Sequence, residues 1–123
     1  MGYISSHMDK PLITVIETPI FIRRSGRLMT EADRKALIDH LAANPADGVE
    51  LGSGVRKLRW SIAGRGKSGG VRVIHFFADA RFPVIILDVF AKNEKANYAE
   101  DELATVRGQA KRLIGLYAKR SIT

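Results

Sequence analysis

Residues 51–95 read LGSGVRKLRWSIAGRGKSGGVRVIHFFADARFPVIILDVFAKNEK. Val55 to Ile62 alternates, with Leu58, Trp60 and Ile62 on one face and Lys57, Arg59 and Ser61 on the other, the period of a half-buried strand. Arg56 falls on the apolar side by parity, near the start of this strand. Val71 to Phe77 is apolar on both faces except for Arg72 and His75, and Pro83 to Ala91 is the most hydrophobic run of the chain. The latter predicts the central strand of a sheet. Gly64, Gly66, Gly69 and Gly70 punctuate the first connection and Ala78 to Phe82 the second. Connections this short predict an antiparallel meander.

The same stretch carries the charge. It holds nine Lys or Arg and three acids, a net of +6 out of the chain's +7. A local basic stripe on a sheet is a candidate surface for a polyanion.

Upstream, Pro11 to Glu17 is short and β-branched and reads as a first strand. Thr18-Pro19 breaks it, with Thr18 as cap and Pro19 as first residue of a short helix to Leu28 whose one side carries Arg23, Arg24 and Arg27. Thr30 caps a second helix, with Glu31 and Asp33 in its first turn and Ala36, Leu37, His40 and Leu41 at helical spacing; Asn44-Pro45 ends it. His40 reads as a half-buried surface residue. Asp47 to Gly54 reads as a glycine-punctuated loop. Downstream, Glu100 to Arg120 is a long helix, with Leu103, Val106, Ala110, Leu113, Ile114 and Tyr117 on one stripe. The expected fold is α+β, a small antiparallel sheet in the order βααβββα, with the N-terminal helices and the C-terminal helix packed on one face.

At 123 residues the chain fits one domain with a modest core. Ser5-Ser6-His7-Met8 resembles the scar of a cloning tag, so residues 1–7 are set apart and 8–123 form the domain. The absence of cysteine removes disulfides, thiolate metal sites and a Cys nucleophile, and fits a reducing cytoplasm. No apolar run approaches the roughly 18 residues of a membrane span.

Three chemistries find no support. Gly64-Arg65-Gly66-Lys67-Ser68 looks like part of a nucleotide-binding loop, but Ser61 stands where the first glycine is needed, and Gly69-Gly70 and a strand follow where a helix should. The three histidines, His7, His40 and His75, lack metal-ligand spacing, so neither metal nor cofactor is expected. Nothing resembles a nucleophile elbow. The basic set remains. Lys57 and Arg59 share a strand face, Arg72 starts the next strand, and Lys92 and Lys95 follow the one after. In a meander these positions converge on one end of the sheet. An ordinary solvated face would also be basic, but Arg72 interrupts an apolar strand, and a half-buried charge generally has a partner or a task.

Arg56-Lys57-Leu58-Arg59-Trp60, then Gly64-x-Gly66-Lys67-Ser68-Gly69-Gly70-Val71-Arg72-Val73-Ile74, then Lys92-Asn93-Glu94-Lys95 closely resemble the RelE/ParE superfamily of bacterial toxins, in particular its HigB-like, phage-derived branch. The resemblance spans roughly Ile13 to Leu103. It implies the RelE-like fold and a ribosome-dependent, metal-independent mRNA endonuclease acting in the ribosomal A site, where the neighbouring 2′-OH attacks the scissile phosphate. Preorganised cations suit a transition state that gathers charge on phosphoryl oxygens, and a lysine among cations can act as general base. By motif position, Arg72 would clamp the phosphate, Lys57 or Arg59 would support proton transfer or the transition state, and Lys92 and Lys95 would complete the site. Arg56, Arg65, Lys67 and Asn93 would hold RNA backbone. RelE itself has arginine where this chain has Asn93, and several relatives place a tyrosine or histidine just after the third basic block, near Tyr98. The implied partners are the ribosome, mRNA and a DNA-binding, HigA-like antitoxin, with no membrane. Two other readings compete: a ParE-like gyrase inhibitor without catalysis, and a plain basic RNA-binding module, which stacking aromatics on the basic face would favour.

Overall fold

The structure, a computed structural model, describes residues 11–62, 66–92 and 98–122, with the backbone alone at 66–69 and 120–122. The elements are β1 (Val15–Glu17), α1 (Pro19–Leu28), α2 (Glu31–Ala43), β2 (Val49–Gly52), β3 (Val55–Ile62), β4 (Gly66–Phe76), β5 (Val84–Ala91) and α3 (Glu100–Ile122). The sheet runs β1-β5-β4-β3-β2.

Both N-terminal helices start as their sequences dictate. The Thr18 side chain accepts from the Phe21 N–H and donates to the Ile86 carbonyl at 2.8 Å, so one hydroxyl caps α1 and ties it to β5. Thr30 and Asp33 form a capping box at α2, each side chain accepting the other's backbone N–H. α1 buries Phe21, and α2 buries Leu37 and Leu41.

The α+β class holds, with five differences of detail. The sheet is mixed, because β1 pairs with β5 in parallel while the other neighbours are antiparallel. The parallel pair is made by a crossover through both helices and three strands, which short local connections do not reveal. The expected loop at Asp47 to Gly54 contains an edge strand, β2, hairpinned onto β3. Gly52, Ser53 and Gly54 take positive φ, so the glycines serve a tight turn rather than a loose loop. A Cβ on Gly54 would lie 2.8 Å from the Phe76 ring. β4, not β5, is the central strand. It begins at Gly66 rather than after the glycines.

The fifth difference concerns the helices, which cover both faces. One core joins Phe21, Leu37 and Leu41 to Leu58, Ile62, Val71, Val73, Val84, Ile86 and Val89. The other joins Val106 and Ala110 of α3 to Val55, Ile74, Phe76, Ile85, Leu87 and Phe90. Strands apolar on both sides need cover on both, and α3 supplies the second. No described helix is long and apolar enough to cross a membrane. Residues 1–10, which include the expected tag remnant, lie outside the described residues.

Candidate nucleic-acid interface

The register of β3 and β4 brings the two motif arginines together. Arg59 stands directly opposite Arg72, and Lys57 opposite Ile74. Directly opposite residues share a face, and Ile74 belongs to the α3-side core, so Lys57, Arg59 and Arg72 lie on that side of the sheet. Arg59 is exposed, Lys57 half-buried, and Arg72 only 9% exposed. Arg59, Trp60, Ser61, Gly70 and Arg72 line a recess of about 260 Å³. Among the described residues no carboxylate pairs with Arg59 or Arg72; the ion pairs involve other arginines, Lys35 and His40.

The recess is shaped by an irregularity in the ladder. Trp60 pairs with Val71 and Ile62 with Gly66, so residues 67–70 of β4 stand opposite Ser61 alone. The displaced backbone passes so close to β3 that a Cβ on Gly70 would lie 2.6 Å from the Trp60 carbonyl. Only glycine permits this approach, and it fixes one wall of the recess.

Ala91 pairs with Val71, which brings the following residue, exposed Lys92, to the same end of the sheet as Arg72. Arg65, Asn93 and Lys95 lie outside the described residues, as does the side chain of Lys67. Arg56 is on the other face, as parity implied, and is already engaged. It donates to the Ala46 carbonyl at 3.1 Å and pairs with Glu50 at 3.1 Å. These contacts hold the chain between α2 and β2. Arg81 is at the opposite end of β4 and β5, bound to Asp79 at 2.9 Å.

Residues 21–121 match the family described as the RelE toxin of the RelE/RelB toxin–antitoxin system. The chain belongs to the RelE toxin family. A solved structure of a double arginine-to-alanine mutant of the E. coli toxin RelE in the free state shares its fold, with a TM-score of 0.51 over 69% of this chain and 88% of that one, at 11% identity.

Within this RelE-family fold, two features lie beyond what the sequence alone indicates. The first is a buried acid. Asp88, 6% exposed, accepts both Arg24 Nη1 bonds, at 2.7 and 2.9 Å, and the hydroxyl of Tyr98. Tyr98 also stacks on Phe90, with centroids 5.6 Å apart and planes at 22°. Burial first, and then the Asp88 carboxylate, hold its hydroxyl proton on well above the usual tyrosine range. An acid inside an apolar strand was the available signal; its partners, on α1 and before α3, are too far off in sequence to identify.

The second is on the back of the sheet. His75 is fully buried, opposite Arg56, and donates from Nε2 to the Pro45 carbonyl at 3.1 Å. Burial lowers its pKa to about 4, so the ring is neutral. Half-buried His40 meets Asp47 at 2.7 Å and lies 5.1 Å from the Trp60 ring. Both histidines brace the segment after α2, and among the described residues no His/Asp/Glu group could hold a metal.

Proposed function

We propose that this RelE-family toxin, of the HigB-like branch, cleaves mRNA in the ribosomal A site and is held in check by a HigA-like antitoxin. The observation that carries the reading is the cross-strand pair Arg59–Arg72 at a recess with no acid among the described residues that line it. Two planar guanidiniums on one face offer parallel donors to the oxygens of a single phosphodiester. In a partly dry recess they stabilise the charge that builds on those oxygens.

The reaction is an internal transfer. The 2′ oxygen attacks the adjacent phosphorus, the bond from phosphorus to the 5′ oxygen breaks, and a 2′,3′-cyclic phosphate and a free 5′-OH result. Arg72 clamps the phosphate and Arg59 stabilises the transition state. Lys57, on the same face, takes the 2′-OH proton, and the 5′ oxygen takes a proton from solvent as it leaves. Lys92 and Lys95 complete the phosphate site, while Arg65, Lys67 and Asn93 hold the flanking backbone. The reaction so written calls on no metal. The whole cycle takes place in the cytoplasm, where ribosomes and nascent messages are.

The test is incubation of a defined mRNA with purified protein, with and without programmed ribosomes, the cuts being mapped by primer extension. Cuts that appear only with ribosomes support the reading. Cuts on free RNA would make the protein a general ribonuclease, and no cuts in either arm would favour gyrase inhibition.

A further inference from the structure

A buried carboxylate in an apolar strand is costly unless every lone pair is used, and packed apolar residues would serve stability as well. Asp88 satisfies itself with Arg24, Tyr98 and its neighbour's backbone, the Val89 N–H at 2.8 Å. The consequence is geometric. The Tyr98 ring is held at one end by its hydroxyl and along its face by Phe90, which is 2% exposed. Phe90 stands directly opposite Arg72 on the neighbouring strand. Among the described residues Arg72 has no carboxylate to orient it, and the register sets it beside these packed rings.

From this we infer that Tyr98 is a positioning residue for the phosphate site, fixing Phe90 beside Arg72 through its stack and its bond to Asp88. The inference rests on the ribonuclease reading above for its effect on rate, but not for its effect on Arg72. It assigns Tyr98 a place inside the protein, with its hydroxyl as a permanent donor, rather than a place against a nucleobase. Burial of the hydroxyl and its raised pKa agree with that role.

The experiment compares Tyr98→Phe and Tyr98→Leu for single-turnover cleavage on programmed ribosomes, at a temperature where circular dichroism shows both folded. Tyr98→Leu loses the stack and is expected to cut on the order of 10–100-fold more slowly with KM unchanged. Tyr98→Phe keeps the ring and is expected to recover most of that rate. A loss confined to KM would point to base stacking and overturn the inference, as would wild-type cleavage by Tyr98→Leu. Independently of activity, the Arg72 Nε–H NMR signal is expected to move in Tyr98→Leu and stay in Tyr98→Phe. An unmoved signal in both variants would refute the positioning role, whereas an inactive wild type with a moving signal would refute only the ribonuclease reading.

Discussion

Arg59 and Arg72 stand directly opposite each other on β3 and β4, and among the described residues no carboxylate pairs with either. Like charges in this relation destabilise an antiparallel pair by up to about 1 kcal/mol. Arg72 adds the cost of being nearly buried. The free protein therefore keeps a strained pair, which on the proposed reading a bound phosphate would relieve. Arg72→Met, which fills similar space without charge, is expected to match or exceed wild-type stability by up to about 1 kcal/mol in urea titrations. The same variant is expected to lose cleavage on ribosomes by about a hundredfold or more. Instability of the Met variant would show that Arg72 serves the fold.

Gly70 marks how close β4 must come to β3 beside this pair. Alanine there places a Cβ 2.6 Å from the Trp60 carbonyl. Gly70→Ala is expected to lower stability by about 1–3 kcal/mol and to slow cleavage, because the recess wall moves. Gly26→Ala is the contrast, since a Cβ in α1 at that position meets nothing within 4 Å. It is expected to stabilise by about 0.5–1 kcal/mol. Thermal melts of the two variants should shift in opposite directions.

Acid should unlock the back of the sheet before it affects most carboxylates. The folded His75 pKa is about 4 against 6.5 in an unfolded chain. The unfolded state therefore binds the proton first, and stability falls as pH drops from about 6.5 toward 4. The loss from this group is on the order of 2–3 kcal/mol. Above pH 7 the contribution is constant. Urea titrations at pH 7.5 and 4.5 should show the loss, and His75→Gln should show much less of it.

Arg56 and Arg59 are three positions apart on one strand yet should behave differently. Arg56 is bound to Ala46 and Glu50 on the α2 side. Arg56→Ala is expected to cost about 1–2 kcal/mol of stability and to leave the salt dependence of RNA binding unchanged. Arg59→Ala is expected to be neutral for stability and to flatten that salt dependence by about one phosphate contact. Melts and binding titrations over a salt series separate the two.

Much of this fold is legible in the sequence because its signals are local. Thr18-Pro19 and Thr30 with Asp33 announce their helices within four residues, and the alternation in β3 by itself puts Arg59 and Arg56 on opposite faces. What escapes a sequence reading is non-local. The parallel pairing of Val15 with Val84 depends on a long crossover, and α3 reaches the far face because residues such as Ile74 and Leu87 leave a second apolar surface to cover. Glycines at Gly52 and Gly54 suggest looseness in a one-dimensional reading, while their positive φ makes a tight hairpin. The Arg24–Asp88–Tyr98 contact joins three separate parts of the chain, and no spacing rule links them.

The most direct test of the central claim is a double-mutant cycle on Arg59 and Arg72, measured as single-turnover cleavage on programmed ribosomes with folding checked for each variant. If the two guanidiniums share one phosphate, Arg59→Ala and Arg72→Ala each remove most of the rate, and the double variant is barely slower than the worse single one. Fully additive losses would mean that the arginines act at separate places. Wild-type rates in the single variants would place the chemistry elsewhere on the protein.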